Sequence, residues 1–327
     1  MVNLCFVLAM DLRKTDGASV HSKSLAAACE SAGIGTESVS FDSLGSSGVA
    51  FALRAPFAVP DGVRTVYLRS PLAFLGIPLL KARGKKIVLG VAALKHLESP
   101  AWMRPFVKLA EDAAIRSSDA VMTISPALEK YCRAHGAEKT LVYLPPVAVS
   151  AASARRRRGK FVVGYAGGNQ EWQGLPLLLE AVPRVRGDFE VRIYGDAEKT
   201  AADARVKFLG RIPNSRVPSA LRSLDLFVLP RPRHPSAETA MPIKLVEAMA
   251  CGVPCLVTDV GGVSWFVKDG RDAIVREPSA EGVASGIAWA LRNRKKLRAI
   301  GENGRKRVTA ELRGTGWKIR RLVSSLD

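Results

Sequence analysis

The chain has 327 residues, enough for two domains each with its own core. Hydrophobic residues make up 47% of it and no apolar run approaches the ~20 residues of a membrane-spanning helix, which describes a soluble globular protein. The net charge of +19 is uneven: 17 Lys/Arg against 12 Asp/Glu in residues 1–150, and 32 against 18 in the remainder.

Short Val/Ile/Leu-rich runs alternate with helix-length amphipathic stretches. In the first half the expected strands are residues 3–8, 37–41, 65–68, 86–91 and 120–124, with helices such as 19–32 and 106–117 between them. The first run, MVNLCFVLAM, has no basic residues ahead of its apolar stretch and reads as a buried strand rather than a signal peptide. Residues 149–159 (VSAASARRRRG) are small, polar and charged without apolar period, as a linker is. The second half repeats the layout, with strands 161–165, 190–194, 206–209, 226–229 and 255–258, and helices 175–182, 217–223, 243–250 and 280–293. Two such series imply two doubly wound parallel-sheet domains, spanning 1–150 and 151–304, followed by a basic helix in 305–327. The five cysteines (Cys5, Cys29, Cys132, Cys251, Cys255) form no CxxC pair, so a reduced, cytoplasmic protein without a cysteine metal site is expected.

The most informative segment runs from Glu238 to Asp259, ETAMPIKLVEAMACGVPCLVTD. It places Glu238, Lys244 and Glu247 around Pro242, where a turn enters a helix. Unpaired N–H groups and a partial positive charge at such a helix start suit a phosphate. A carboxylate one or two turns on can reach sugar hydroxyls. The competing reading is a capped amphipathic helix feeding a buried strand, which leaves the Pro-x-Lys-x-x-Glu spacing unexplained.

This order of residues resembles the signature of retaining glycosyltransferases of the GT-B fold, family 4. The resemblance implies an α/β chain of two Rossmann-like doubly wound domains facing across a cleft, with the last helix crossing back to the N-terminal domain. It also implies sugar transfer from a nucleotide-diphosphate donor, a UDP- or GDP-sugar, to an acceptor hydroxyl, without cofactor or metal. Glu247 is then the ribose-binding residue and Glu238 the sugar-binding one. Lys244, with the amides near Ile243, Leu245 and Gly17, holds the pyrophosphate.

Further segments bear on the same site. Gly17 and Ser19, in MDLRKTDGASVH, form a turn into a helix with Ser19 as a candidate N-cap; His21 is expected on the helix surface. Arg69, in Tyr67-Leu68-Arg69-Ser70, closes a strand and either holds an anion or sugar hydroxyl or covers a loop. In VLGVAALKHLE the chain departs from the family: Gly90 stands where Glu is usual and Ala92 where Asn or His is usual. His96 lies one turn beyond Ala92 if the segment is helical, and either substitutes for that polar residue or is a loop histidine.

In GYAGGNQEWQG, Gly168 and Gln173 occupy positions where relatives often carry an Arg and a Lys for the diphosphate. The backbone N–H groups of Gly167 and Gly168 remain available in principle, with Arg231 and Arg233 as helpers. Arg211 and Ile212, in FLGRI, resemble the segment whose backbone holds the base.

The partners implied are a nucleotide sugar and a glycan or lipid-linked acceptor. Trp102, Arg104, Phe106 and Lys108, with the basic surface, point to an anionic membrane, at the inner face of the cell membrane, or else to the start of a packed helix. The absence of an aromatic-interleaved basic motif argues against nucleic acid. A non-catalytic GT-B relative that binds nucleotide or polyanion is the alternative reading.

Overall fold

In the computed structural model, residues 3–13, 17–45, 47–69, 73–147, 159–196 and 203–326 are described. Asp16, Ser70 and nearly all of the 149–159 segment, including Arg155 to Arg158, lie outside the described residues. The chain divides into two compact units, Met1–Pro146 with Glu311–Asp327, and Val147–Ala310.

The first unit contains β1 (Asn3–Leu8), β2 (Gly35–Ser40), β3 (Thr65–Arg69), β4 (Lys86–Val91), β5 (Ala120–Thr123) and β6 (Thr140–Val142). They form one parallel sheet in the order β2-β1-β3-β4-β5-β6. Its helices are α1 (Gly17–Ser31), α2 (Phe41–Leu44), α3 (Gly48–Ala58), α4 (Ala73–Ala82), α5 (Lys95–Glu98), α6 (Arg104–Ser117) and α7 (Pro126–Ala134). Val66, Leu68, Ile87, Leu89 and Val121 on central strands pack with Phe51, Ala55, Ile77 and Ile115 of the helices.

The second unit contains β7 (Phe161–Ala166), β8 (Phe189–Tyr194), β9 (Val206–Gly210), β10 (Leu226–Leu229), β11 (Cys255–Thr258) and β12 (Ile274–Arg276). Their parallel order is β12-β11-β10-β7-β8-β9. Around them lie α8 (Leu175–Ala181), α9 (Val217–Arg222), α10 (Pro235–Thr239), α11 (Ile243–Ala250), α12 (Gly261–Ser264), α13 (Ala280–Arg292) and the start of α14 (Arg294–Ser324). β10 and β11 are buried along their whole length, as strands covered on both faces must be.

Strand order reverses between β1 and β3 in one sheet and between β7 and β10 in the other. Beyond the carboxyl ends at such a reversal, neighbouring loops diverge and leave a crevice. The expected strands are present, with ends shifted by one or two residues; β6 and β12, three residues each, were not anticipated.

The end of α14 and the turn after it, residues 311–326, lie against the first unit, with Gly316 beside α1. Arg320 Nη1 donates to the Ala32 carbonyl at 2.8 Å, Lys139 Nζ donates to the Ser325 carbonyl at 2.8 Å, and Ile319 is fully buried. A Cβ at Gly316 would stand 2.1 Å from the Ala28 carbonyl oxygen, so only glycine allows the two helices this approach.

Candidate functional site

Pro242, extended at φ −78° and ψ 124°, is the cap from which α11 starts. The helix ends at Gly252 in the left-handed region (φ 71°), where the Gly252 and Val253 N–H groups return to Met249 and Ala248 carbonyls. Leu245, Val246, Ala248, Met249 and Ala250 are buried, leaving Lys244 and Glu247, one turn apart, on the partly open face. Burial pushes the Glu247 carboxyl up to about 7, against the opposing effect of Lys244. Burial, and then the nearby Arg231 charge, lowers the Lys244 ammonium to about 8, with Glu247 opposing. Two partly desolvated groups of opposite charge thus occupy the first two turns.

The Gly167–Gln173 loop leaves the carboxyl end of β7, at the reversal with β10. Lys244 Nζ donates to Gln173 Oε1 at 3.2 Å, and the Gly168 N–H donates to the same oxygen at 3.0 Å. The Gly167 N–H goes to the Tyr194 carbonyl at 2.9 Å. Both glycine amides, expected to serve a ligand, thus have partners within the unit. A Cβ at 167 would lie 2.2 Å from the Tyr165 hydroxyl and 2.6 Å from Gln173 Oε1, so a larger residue there would displace these side-chain ends. The Leu245 N–H is likewise committed, to the Pro242 carbonyl at 3.1 Å.

Glu238, in α10, accepts from the Gly261 N–H at 2.6 Å through Oε2, while its Oε1 lies 3.9 Å from Arg233. Gly261 must be small, since a Cβ would meet the Glu238 backbone and side chain at 2.8 and 3.0 Å. This charge-assisted bond fixes the carboxylate's direction. Arg231 is buried, donates to the Ala240 carbonyl at 3.0 Å and lies over the Trp172 ring. It ties together the loop that delivers Glu238 and α11. Arg233 is exposed and also lies 3.7 Å from Glu277. Arg211 is exposed and paired with Asp196, and Ile212 is half-buried beside it.

In the first unit, Arg69 ends β3 at the reversal with β1, and its Nη1 donates to Ser22 Oγ at 3.1 Å. Gly17 begins α1. Ser19 is not the N-cap: it sits inside α1, fully buried, with Oγ donating to the Asp11 carbonyl. His21, expected on the surface, is buried; its Nε2 meets the Tyr143 hydroxyl at 3.2 Å. Burial, and then the Arg69 charge, lowers it to about 3. Tyr143 also bonds Tyr67, whose hydroxyl would lie 2.0 Å from a Cβ at position 90. Tyr67 therefore fills the space at Gly90.

His96 does not share a helix with Ala92, because residues 92–94 are non-helical and α5 starts at Lys95. Its Nδ1 meets Glu111 Oε2 of α6 at 2.6 Å, and the two side chains are mostly buried. The one-turn argument for His96 thus fails.

Gln173 was missed as a member of the Lys244 cluster. In sequence it registers as a missing charge, and its only signal is the Gly-Gly pair five residues before it.

Residues 150–307 match the family model for "Glycosyl transferases group 1". The fold, two doubly wound α/β units, is that of GT-B glycosyltransferases. Sucrose-phosphate synthase from Thermosynechococcus elongatus matches with a TM-score of 0.82 at 17% identity, over 100% of this chain and 99% of that one. HepE from Anabaena, solved with UDP and glucose, matches with a TM-score of 0.78 at 19% identity, over 99% of this chain and 100% of its own.

Among curated proteins, the chain is 32% identical over 125 residues to a Bacillus subtilis protein named as the teichuronic acid biosynthesis glycosyltransferase TuaC, covering 38% of this chain and 31% of that one. It is 30% identical over 137 residues to the phosphatidyl-myo-inositol mannosyltransferase of Mycobacterium tuberculosis, covering 37% and 35%. The chain thus aligns with about a third of the length of these curated relatives.

Proposed function

We propose that this protein is a retaining glycosyltransferase that moves a sugar from a UDP- or GDP-sugar to a hydroxyl of a glycan or lipid-linked acceptor. The observation that carries the reading is the Lys244–Glu247 pair, partly desolvated on the first two turns of α11 beside the loop at the β7/β10 reversal. The group 1 match over the same unit, and neighbours of this fold solved with UDP, support it.

In this reading Lys244 meets the diphosphate, Glu247 the ribose hydroxyls, and Glu238, held by the Gly261 N–H, the transferred sugar. The anomeric C–O bond breaks with its electron pair leaving on the phosphate, where a nearby ammonium in a partly dehydrated site is most effective. The acceptor oxygen bonds the anomeric carbon from the same face, and its proton passes to the departing phosphate. Ala92 offers no protein base, so this route needs none. Arg69, at the β1/β3 reversal, is assigned an anion or a sugar hydroxyl.

The test is transfer from UDP- and GDP-sugars followed by proton NMR of the newly formed linkage. Retention of the donor's anomeric configuration is expected, with loss of turnover in Glu238→Gln and Glu247→Ala. An inverted product contradicts the mechanism.

A non-catalytic nucleotide-binding relative is the second reading. It is favoured by Tyr67 occupying the space at Gly90 and by the apolar Ala92. Nucleotide binding without transfer or donor hydrolysis would support it.

The proposed acceptor surface includes an anionic membrane. Trp102, in the short turn before α6, and Phe106 and Leu109 within it are exposed, as are Val49, Leu53 and Phe57 along α3. α3 and α6 both pack against α4. Within 48–58 and 101–110 the only charges are Arg54, Arg104 and Lys108, which complement anionic headgroups.

A further inference from the structure

Two donors of different kinds converge on one neutral oxygen in the second unit. Gln173 Oε1 accepts from the Lys244 ammonium at 3.2 Å and from the Gly168 N–H at 3.0 Å. Its carboxamide nitrogen donates to Gln170 Oε1, and the Gln173 N–H donates to the Gln170 carbonyl at 2.8 Å. The Gln170 side chain in turn stands where a Cβ of residue 168 would lie, at 2.7 Å. The Gly167-Gly168 pair therefore opens a niche that two glutamine side chains fill.

A backbone N–H and an ammonium aimed at one point form an anion hole. Here that point holds an amide oxygen, which carries partial negative charge but no net charge. A partly desolvated ammonium gains from an acceptor, and Gln173 Oε1 supplies one to Lys244. A carboxylate would hold Lys244 in an ion pair that a phosphate must break. A second cation would repel it and add to the effect of Arg231. A glutamine meets the need and is a weak competitor, because its bond is not between two full charges.

We propose that Gln173 is an exchangeable stand-in for a donor phosphate oxygen: it occupies the convergence point of Lys244 and Gly168 in the empty site and yields it when the diphosphate arrives. This rests on the donor-site reading above. Gln173 is a positioning residue: it presets Lys244 and the Gly168 amide at phosphate distance. By returning to its place it also competes with the spent nucleoside diphosphate, and so favours product release.

The test is isothermal titration of UDP and of inorganic pyrophosphate into wild type, Gln173→Ala, Gln173→Glu and Lys244→Ala, each first shown to melt near wild type. Gln173→Glu is expected to weaken both ligands about tenfold or more, since a charged pair replaces the exchangeable bond. Gln173→Ala removes the competitor and is expected to bind pyrophosphate as tightly as wild type or tighter.

Wild-type affinity in Gln173→Glu, with Lys244→Ala weakened, overturns the stand-in and leaves the donor site intact. Loss in Gln173→Ala equal to that in Lys244→Ala also overturns it, because Gln173 would then hold the ligand itself. Unchanged binding in Lys244→Ala overturns the donor-site reading, and this proposal with it.

Discussion

Lys244 and Glu247 each sit near the edge of ionisation at neutral pH. Lys244, ordinarily at 10.5, is lowered to about 8 in the empty site by burial and Arg231. A bound diphosphate favours the ammonium, so binding takes up a proton wherever the free lysine has lost one. The affinity for a nucleotide sugar should therefore hold below pH 8 and fall as pH rises through about 8, by up to about tenfold per unit. Titration calorimetry between pH 6.5 and 9.5 checks this. The alkaline fall should persist in Glu247→Gln and vanish in Lys244→Ala; its persistence in Lys244→Ala would assign it to another group.

Gly90 supplies a second prediction at the same scale. Its missing side chain is filled by the Tyr67 hydroxyl, which belongs to the Tyr143–His21 network. Gly90→Ala should cost about 1–3 kcal/mol of stability by overpacking. Tyr67→Leu removes the hydroxyl and the ring carbons that would collide, so the double variant should lose less than the sum of the two single losses in thermal unfolding. Additive losses would contradict the packing account.

Much of the second unit's candidate site was legible in the sequence, because Pro242 caps one short helix that carries Lys244 and Glu247 and whose phase the buried Leu245, Val246 and Ala248 fix. His21 and Gln173 were not. The burial of His21 depends on Tyr143, 122 residues away. Gln173 looks like a lost charge until its oxygen is seen between Lys244 and Gly168. Ser19 was misassigned because α1 starts at Gly17, ahead of the hydroxyl taken as its cap.

At the scale of elements, α3 and the segment running into α6 carry two rows of exposed apolar side chains in the first unit. α3 buries Phe51, Ala55 and Pro56 and exposes Val49, Leu53 and Phe57, so it is apolar on both faces. An exposed apolar row beside a single arginine, Arg54, suits a partner that is apolar and anionic. Before and along α6, Trp102, Phe106 and Leu109 are exposed, while Ala114 and Ile115 are buried. The protein should therefore pellet with vesicles containing anionic lipid and much less with neutral ones. Trp102→Ser with Phe106→Ser should abolish the difference while the melting temperature stays near wild type. Equal recovery with both vesicle types would contradict an anionic partner.

Strands follow a similar division between what local sequence shows and what packing decides. β10 and β11 announce themselves as continuous apolar runs because both their faces are covered. β6 and β12 have three residues each and lie at sheet edges, where pairing with one neighbour rather than composition defines them.

Across the whole molecule, two doubly wound units each bring polar groups to the point where strand order reverses: Arg69 and Ser22 in one, Gly168, Gln173 and Lys244 in the other. No helix among the described residues is long and apolar enough to cross a membrane. The proposed chemistry depends on the second of these clusters holding a nucleotide diphosphate.

The most direct measurement is thermal unfolding of wild type and Lys244→Ala against UDP-, GDP- and ADP-sugars. At about 100-fold Kd a cognate donor adds roughly 2.7 kcal/mol of stability. The account predicts such a rise for one nucleotide class in the wild type and its loss in Lys244→Ala. A rise that survives Lys244→Ala undiminished, or none with any donor, would contradict it.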